Sequence, residues 1–374
     1  MKILNNLYDS EITTLAKKSI DFHCHGIGRF DFTEIPEIKL QEIEELLAAR
    51  NQRVILTLYL PKPNFNDFIH LLEVFNQEKK SGKLSHIVGI GLEGPLLASH
   101  GGTPAEGVWM PSKSHWKQLA SCGNKGLIYV ILSPDARFDS MDKSNSLDSP
   151  ANNIAWVAET LLDGGVLPAP GHFAKTNPLG SARALQSVFD VVAAWGYMPT
   201  ITDHLFNDMP LSFKHAWRTP EEKIRRQQEI ELLELESWSL DKIGEYLGPV
   251  PATMIRNAHK GLVKLCQNFD GEHVDLAIVK KAVELVGAQN MLMMTDSVES
   301  KRLAGRQLHT KNDSTLLYQD EGIVAAGSQN TSSQIKNMLS VGLDLKQIEM
   351  ITSVVPSTIL SKHNQYTHAE VEHI

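Results

Sequence analysis

The sequence predicts an α/β chain, and within that class a (β/α)8, TIM-like barrel. Two observations carry the prediction. Eight short apolar runs alternate with longer amphipathic stretches along most of the 374 residues, and polar side chains recur at the C-terminal ends of those runs. A doubly wound open sheet is the competing arrangement for the same alternation.

The first run, KSIDFHCH from Lys18, carries His23 and His25 one residue apart. A strand repeats every two residues, so both imidazoles share a face. Side by side they repel if both are charged, and they make chemical sense as neutral ligands of one cation. A hydrogen-bonded pair at a strand end is the alternative. The second run, RVILTLYLP from Arg53, and the fourth, GLIYVILSP from Gly126, read as strands buried on both faces. The third, SHIVGIGLEG from Ser85, ends near Glu93, and the fifth, GGVLPAPGH from Gly164, ends at His172. The sixth, YMPTITDHLF from Tyr197, carries His204. The seventh, GLVKLCQNFDG from Gly261, leads to His273, and the eighth, NMLMMTDS from Asn290, ends near Asp296. Helix-like stretches such as QEIEELLAAR, NDFIHLLEVFNQEKK, SARALQSVFDVVAAWG and LAIVKKAVELVG lie between them.

In a barrel the C-terminal strand ends meet at one mouth, so residues distant in sequence share a pocket. Five histidines and two carboxylates on that rim supply ligands for one or two divalent cations: zinc first, with iron, manganese and cobalt suiting the same donors. Two long irregular regions, 94–118 and 206–256, follow the third and sixth runs. Both lie on the side where a barrel encloses its substrate.

The composition is that of a globular chain, 42% hydrophobic and 21% charged, and residues 1–374 read as a single domain with the barrel over about 19–362. A net charge of −8 gives no sign of nucleic acid or an anionic membrane as partner. Cys24, Cys122 and Cys266 lie far apart without a CxxC pair, which fits a reducing compartment. The first twenty residues lack the apolar core of a signal peptide, and no run of apolar residues is long enough to span a bilayer. A cytoplasmic location is expected.

The ordered words IDFHCHG (20–26), LEGP (92–95), GHFAKT (171–176), DHLFNDM (203–209), DGEHVD (270–275) and TDS (295–297) resemble the amidohydrolase superfamily, and within it the N-acetylglucosamine-6-phosphate deacetylase branch. AAGS (325–328) and the segment 342–360 are similar to that branch's closing part. The resemblance implies a metal-dependent barrel in which Glu93, His172 and His204 hold the principal ion, and His23 and His25 a second in members that fill that site. It makes Asp296 the general acid/base, taking a proton from the attacking water and giving it to the departing amine. It gives His273 a part in binding the sugar phosphate, in some members across a homodimer interface, and puts Asn207 and Asp208 among the substrate contacts. The implied substrate is a small N-acylated amino sugar, with N-acetylglucosamine-6-phosphate the first candidate.

Three departures bear on that substrate. Twelve residues after Glu93, where the branch has a histidine that polarises the scissile carbonyl, stands Ala105; His100 and His115 are the nearby replacements. The branch's phosphate-binding arginine is missing as such: Arg218 is the candidate in its place, while Arg225 and Arg226 read as a solvated helical face. The flanking β-sandwich of the family must be absent or reduced to something like 314–328, because about eighteen residues precede the first run and the tail after 360 is short. These departures keep open a different small amide, a cyclic amide or an ester as substrate. A nucleobase deaminase is disfavoured, because GHFAKT stands where an HxxE proton shuttle belongs. A non-enzymatic metal-binding barrel is the reading from another class, and a carboxylate at 296 beside intact ligands argues against it.

Overall fold

In a computed structural model, the described residues are 2–136, 153–213, 220–311 and 314–369. Each of the eight apolar runs contains a strand: β1 (Ile20–Cys24), β2 (Arg53–Tyr59), β3 (Ile87–Glu93), β4 (Leu127–Leu132), β5 (Leu167–Pro170), β6 (Thr200–His204), β7 (Val263–Gln267) and β8 (Met291–Met293). All neighbours within the two resulting sheets are parallel and follow chain order. One sheet runs β1 to β5 and the other β6 to β8. The strands are almost wholly buried, as a parallel sheet covered on both faces requires.

The break between β5 and β6 has a local cause. Gly171 donates its N–H to Leu132 O on the β4 side, so Pro168 and Pro170 have their ring nitrogens on the opposite side and can donate nothing to β6. Thr200 Oγ1 bridges that seam instead, donating to Pro168 O at 2.7 Å. At the other seam, between β8 and β1, Asp296 N donates to His23 O at 3.0 Å. Asp21 adds to it, accepting from Thr295 N at 2.9 Å and Thr295 Oγ1 at 2.5 Å. The string GIGLEG (89–94) has the letter spacing of a nucleotide-binding turn, but it runs along β3 to its end instead of turning from a strand into a helix.

Helices cover the strands, and short polar side chains start several of them. Asn153, Asn177, Asp275 and Asn330 each accept from a backbone N–H of the first turn, at Trp156, Gly180, Ala277 and Ser333. The nineteen residues ahead of β1 are largely one helix, Lys2–Lys18, which packs Ile12 and Leu15 into the core. Antiparallel pairing among the described residues is confined to two short ribbons and a three-stranded sheet, His309–Thr310, Leu316–Tyr318 and Val324–Gly327. The stretch expected to be a sandwich remnant thus supplies two strands of that small sheet. No helix among the described residues is long and apolar enough to cross a membrane.

One buried carboxylate joins helix to sheet. Glu44, on the helix Leu40–Arg50, accepts from the N–H groups of Ser85, His86 and Ile87 at 2.8–3.0 Å and from Ser85 Oγ at 2.9 Å. Burial raises its pKa, but these donors outweigh it and bring it down to about 2. A depressed carboxylate stabilises the fold above its ordinary pKa, and that contribution is lost as pH falls toward about 2. Glu44→Ala is expected to cost about 2–3 kcal/mol in urea unfolding at pH 7, since it orphans three amides. The difference between variant and wild type should shrink steadily below pH 4.

Candidate metal centre

β1 contains a bulge: between the pairs Asp21↔Val54 and Cys24↔Leu56 it spends three residues against two on β2. His23, within it, and His25, just beyond it, converge, Nε2 to Nε2 at 2.9 Å, with the rings edge to face and both buried. At that distance at most one of the two nitrogens carries a proton. His25 Nδ1 lies 3.2 Å from Thr57 O, which fixes Nδ1 as a donor and turns Nε2 inward. Tyr59 Oη stands 3.1 Å from that same Nε2.

Glu93, at the end of β3, faces two ways. Its Oε2 is 3.2 Å from both His23 Nε2 and His25 Nε2, and its Oε1 is 3.1 Å from His172 Nε2. Thr103 Oγ1 donates to Oε1 at 2.6 Å and holds the carboxylate in this pose. His172 sits just past β5 at φ +51°, with Nδ1 3.0 Å from Ser99 O and 3.0 Å from Asp208 Oδ2. His204 ends β6, its ring centre 5.0 Å from that of His172.

Asp296 follows β8 at φ +49°. Its Oδ1 is 3.2 Å from His25 Nε2 and 3.7 Å from His23 Nε2, and its Oδ2 is 3.7 Å from His273 Nε2. His273 in turn holds Asp270 Oδ2 at 2.5 Å through Nδ1. Two groups of donor atoms could each hold an ion: His23, His25 and Asp296, and His172, Asp203 and His204. Glu93 spans them.

The charges in this cluster support one another. Burial raises the Asp296 carboxyl, but His25, His23 and His273 outweigh it and leave it at about 2. Burial lowers His25, yet Asp296 and Glu93 raise it to about 10. His172 is lowered by burial and carried well above its ordinary value by Asp203, Asp208 and Glu93. A nest of buried carboxylates this strong attracts positive charge. The donor set fits a divalent ion on a further count: His172 Nε2 and both oxygens of Asp203 are buried without a hydrogen-bond partner.

The other expected residues fall around the same opening. A cavity of about 360 Å³ is lined by Glu93, His172, His204 and Asp296, and also by His100, Asn207, Asp208 and His273. Asp208 accepts from Ser99 Oγ at 2.9 Å and pairs with Lys175 Nζ at 2.7 Å. Of the two replacement histidines, His100 reaches the cavity. His115 does not: it caps the helix Lys113–Ala120 together with Ser112 and packs on Trp109. Arg218 lies outside the described residues. Arg226 corrects the expectation of a solvated face. It is 3% exposed and its Nη1 donates to Glu272 O at 3.0 Å, under the turn that carries His273, while Arg225 is exposed as expected.

Sequence reasoning missed four contributors: Asp203, Tyr59, Asp270 and Thr103. Tyr59 was hidden in an apolar run and Thr103 in a loop without periodicity. Asp270 stood in a quoted word, three residues before His273, a spacing that a turn closes. Asp203 stood beside His204, but strict alternation points neighbours to opposite faces.

No family model matches the chain, and no curated protein matches it in sequence. Solved structures do match in fold. N-acetylglucosamine-6-phosphate deacetylase from Pasteurella multocida superposes with a TM-score of 0.65 at 15% identity, over 92% of this chain and 76% of that one. A mutant of the Mycobacterium smegmatis N-acetyl-D-glucosamine-6-phosphate deacetylase, in complex with N-acetyl-D-glucosamine-6-phosphate, gives 0.65 at 16%, over 92% and 77%. The deacetylase from Thermotoga maritima gives 0.61 at 14%, over 92% and 78%. The chain shares the fold of these three proteins.

Proposed function

We propose that this chain is a metal-dependent hydrolase of the amidohydrolase type that removes an N-acyl group, acetyl first, from a small amino sugar. The observation that carries the reading is the Glu93 carboxylate, shared between two groups of buried imidazoles with Asp296 facing one of them. The fold shared with three N-acetylglucosamine-6-phosphate deacetylases supports it, as does the order of the sequence words. In this reading the two sheets are arcs of one closed (β/α)8 barrel, joined at seams bridged by Thr200 and Asp296. Glu93, His172 and His204 would hold one ion, and His23 and His25, with the other oxygen of Glu93, a second.

A divalent ion, zinc first, supplies an acidified water and a Lewis acid for the amide carbonyl when bound there. The chain does the rest. Asp296, ionised and pointing into the cavity, accepts the proton of the attacking water and delivers it to the departing amine nitrogen. His273 stands behind it: burial lowers its pKa, but the Asp270 carboxylate raises it above the ordinary value. His25 and His23, with a smaller contribution from His273, hold the Asp296 carboxyl down. Ser99 and Thr57 carbonyls orient the His172 and His25 rings, and Thr103 orients Glu93. The cavity is of a size to enclose a monosaccharide derivative, and His100, Asn207 and Asp208 are among its lining. A homodimer, and a cytoplasmic setting, belong to the same reading.

A different small amide is the second reading, favoured by one observation. Ala105 replaces the carbonyl-polarising histidine implied by the resemblance, and it does not line the cavity. The test is amine release by zinc-reconstituted protein from N-acetylglucosamine-6-phosphate and from unphosphorylated N-acetylglucosamine. Turnover of the phosphate ester, with little of the free sugar, is expected. No turnover of either by protein carrying its metal would move the substrate elsewhere.

A further inference from the structure

Asp203 is 1% exposed and neither of its oxygens has a hydrogen-bond partner. A buried carboxylate left in that state is costly unless a cation compensates it. Three imidazole nitrogens lie within 3.8 Å of it. Oδ2 lies 3.2 Å from His172 Nε2 and 3.2 Å from His204 Nε2, and Oδ1 lies 3.8 Å from His23 Nδ1. Donor atoms placed tetrahedrally around a zinc-sized ion at 2.0–2.1 Å lie about 3.3 Å from one another. Three consecutive edges have that length here: Glu93 Oε1 to His172 Nε2 at 3.1 Å, His172 Nε2 to Asp203 Oδ2 at 3.2 Å, and Asp203 Oδ2 to His204 Nε2 at 3.2 Å.

We propose that Asp203 is a fourth protein donor to the ion held by Glu93, His172 and His204. The inference rests on the metal-dependent reading above. Two features of the backbone are built around it. The β6 strand is bulged between Ile201↔Lys264 and His204↔Cys266, three residues against two, which brings Asp203 and His204 to the same mouth although they are sequence neighbours. Gly171, on the adjoining strand end, leaves the space: a Cβ there would lie 2.4 Å from Asp203 Cβ and 2.6 Å from its Oδ2. Two carboxylates and two neutral imidazoles balance the charge of a divalent ion. A donor set of that kind retains its ion more tightly than one carboxylate and two imidazoles.

The test is made in a His25→Ala background, where the other half-site is disabled, by titrating cobalt(II) against a competing chelator with and without Asp203→Asn. The expected result is a dissociation constant at least tenfold weaker in the variant, together with altered visible d–d bands, because the ion's own donor set has changed. Unchanged affinity and unchanged bands would overturn the assignment. Weaker affinity with unchanged bands would overturn it too, making Asp203 a positioning residue for the two imidazoles. A parent that binds no cobalt, in a wild type that binds none either, would overturn the metal-dependent reading itself.

Discussion

Asp296→Asn is expected to lower kcat for amide hydrolysis by about 10³-fold while leaving the metal content of the protein nearly unchanged. The amide of asparagine fills the same volume but cannot accept the water's proton or return one to the amine. The loss should therefore fall on kcat, with KM within a few-fold of wild type. Asp296 stands 3.2 Å from His25 Nε2 and 3.7 Å from His273 Nε2, so the substitution also removes a charge that both imidazoles face. Steady-state kinetics and elemental analysis on the same preparation separate the two effects. A variant that keeps its metal and retains more than a tenth of the wild-type kcat would show that the proton passes elsewhere.

The second large effect belongs to Glu93. Its two oxygens serve different imidazole groups, and Glu93→Gln replaces one of them with an amide nitrogen that has protons to give and no charge. Whichever way the amide turns, one half-site faces a donor where it needs an acceptor. Metal content is expected to fall below about 0.1 ion per chain after dialysis, roughly a 100-fold loss of affinity, and hydrolysis should fall below detection. Far-UV circular dichroism should stay at the wild-type level, because the surrounding strands do not depend on this carboxylate for their ladders. Full occupancy in the variant would mean that Glu93 is not the shared ligand.

The strands and the site differed in how much of them could be read beforehand. All eight apolar runs hold a strand because burial on both faces leaves a continuous apolar signature that needs no knowledge of partners. The rim residues were legible for a related reason: a histidine or carboxylate ending such a run is conspicuous. What stayed hidden depends on register. The bulge before His204 comes from one residue too many between two ladder pairs, and nothing in TITDH announces it. Asp203 was accordingly assigned no role. The break at β5 could have been foreseen from LPAP, because prolines two apart remove donors from one side only. Arg226 was misread because an arginine in a charged helix is ordinarily solvated, and only the tertiary fold places it under the His273 turn.

Three of the cavity residues, His172, Asp208 and Asp296, hold their backbone at φ between +40° and +51°. None is a glycine, and each conformation is strained by about 1 kcal/mol or more. In the proposed reaction their side chains are what the site requires, so the fold carries this strain on behalf of the chemistry. Selection for durability and selection for turnover therefore pull these three positions in opposite directions. A lineage that no longer needed the reaction would gain stability by relaxing them to glycine or asparagine, and would lose its activity there well before it lost the fold.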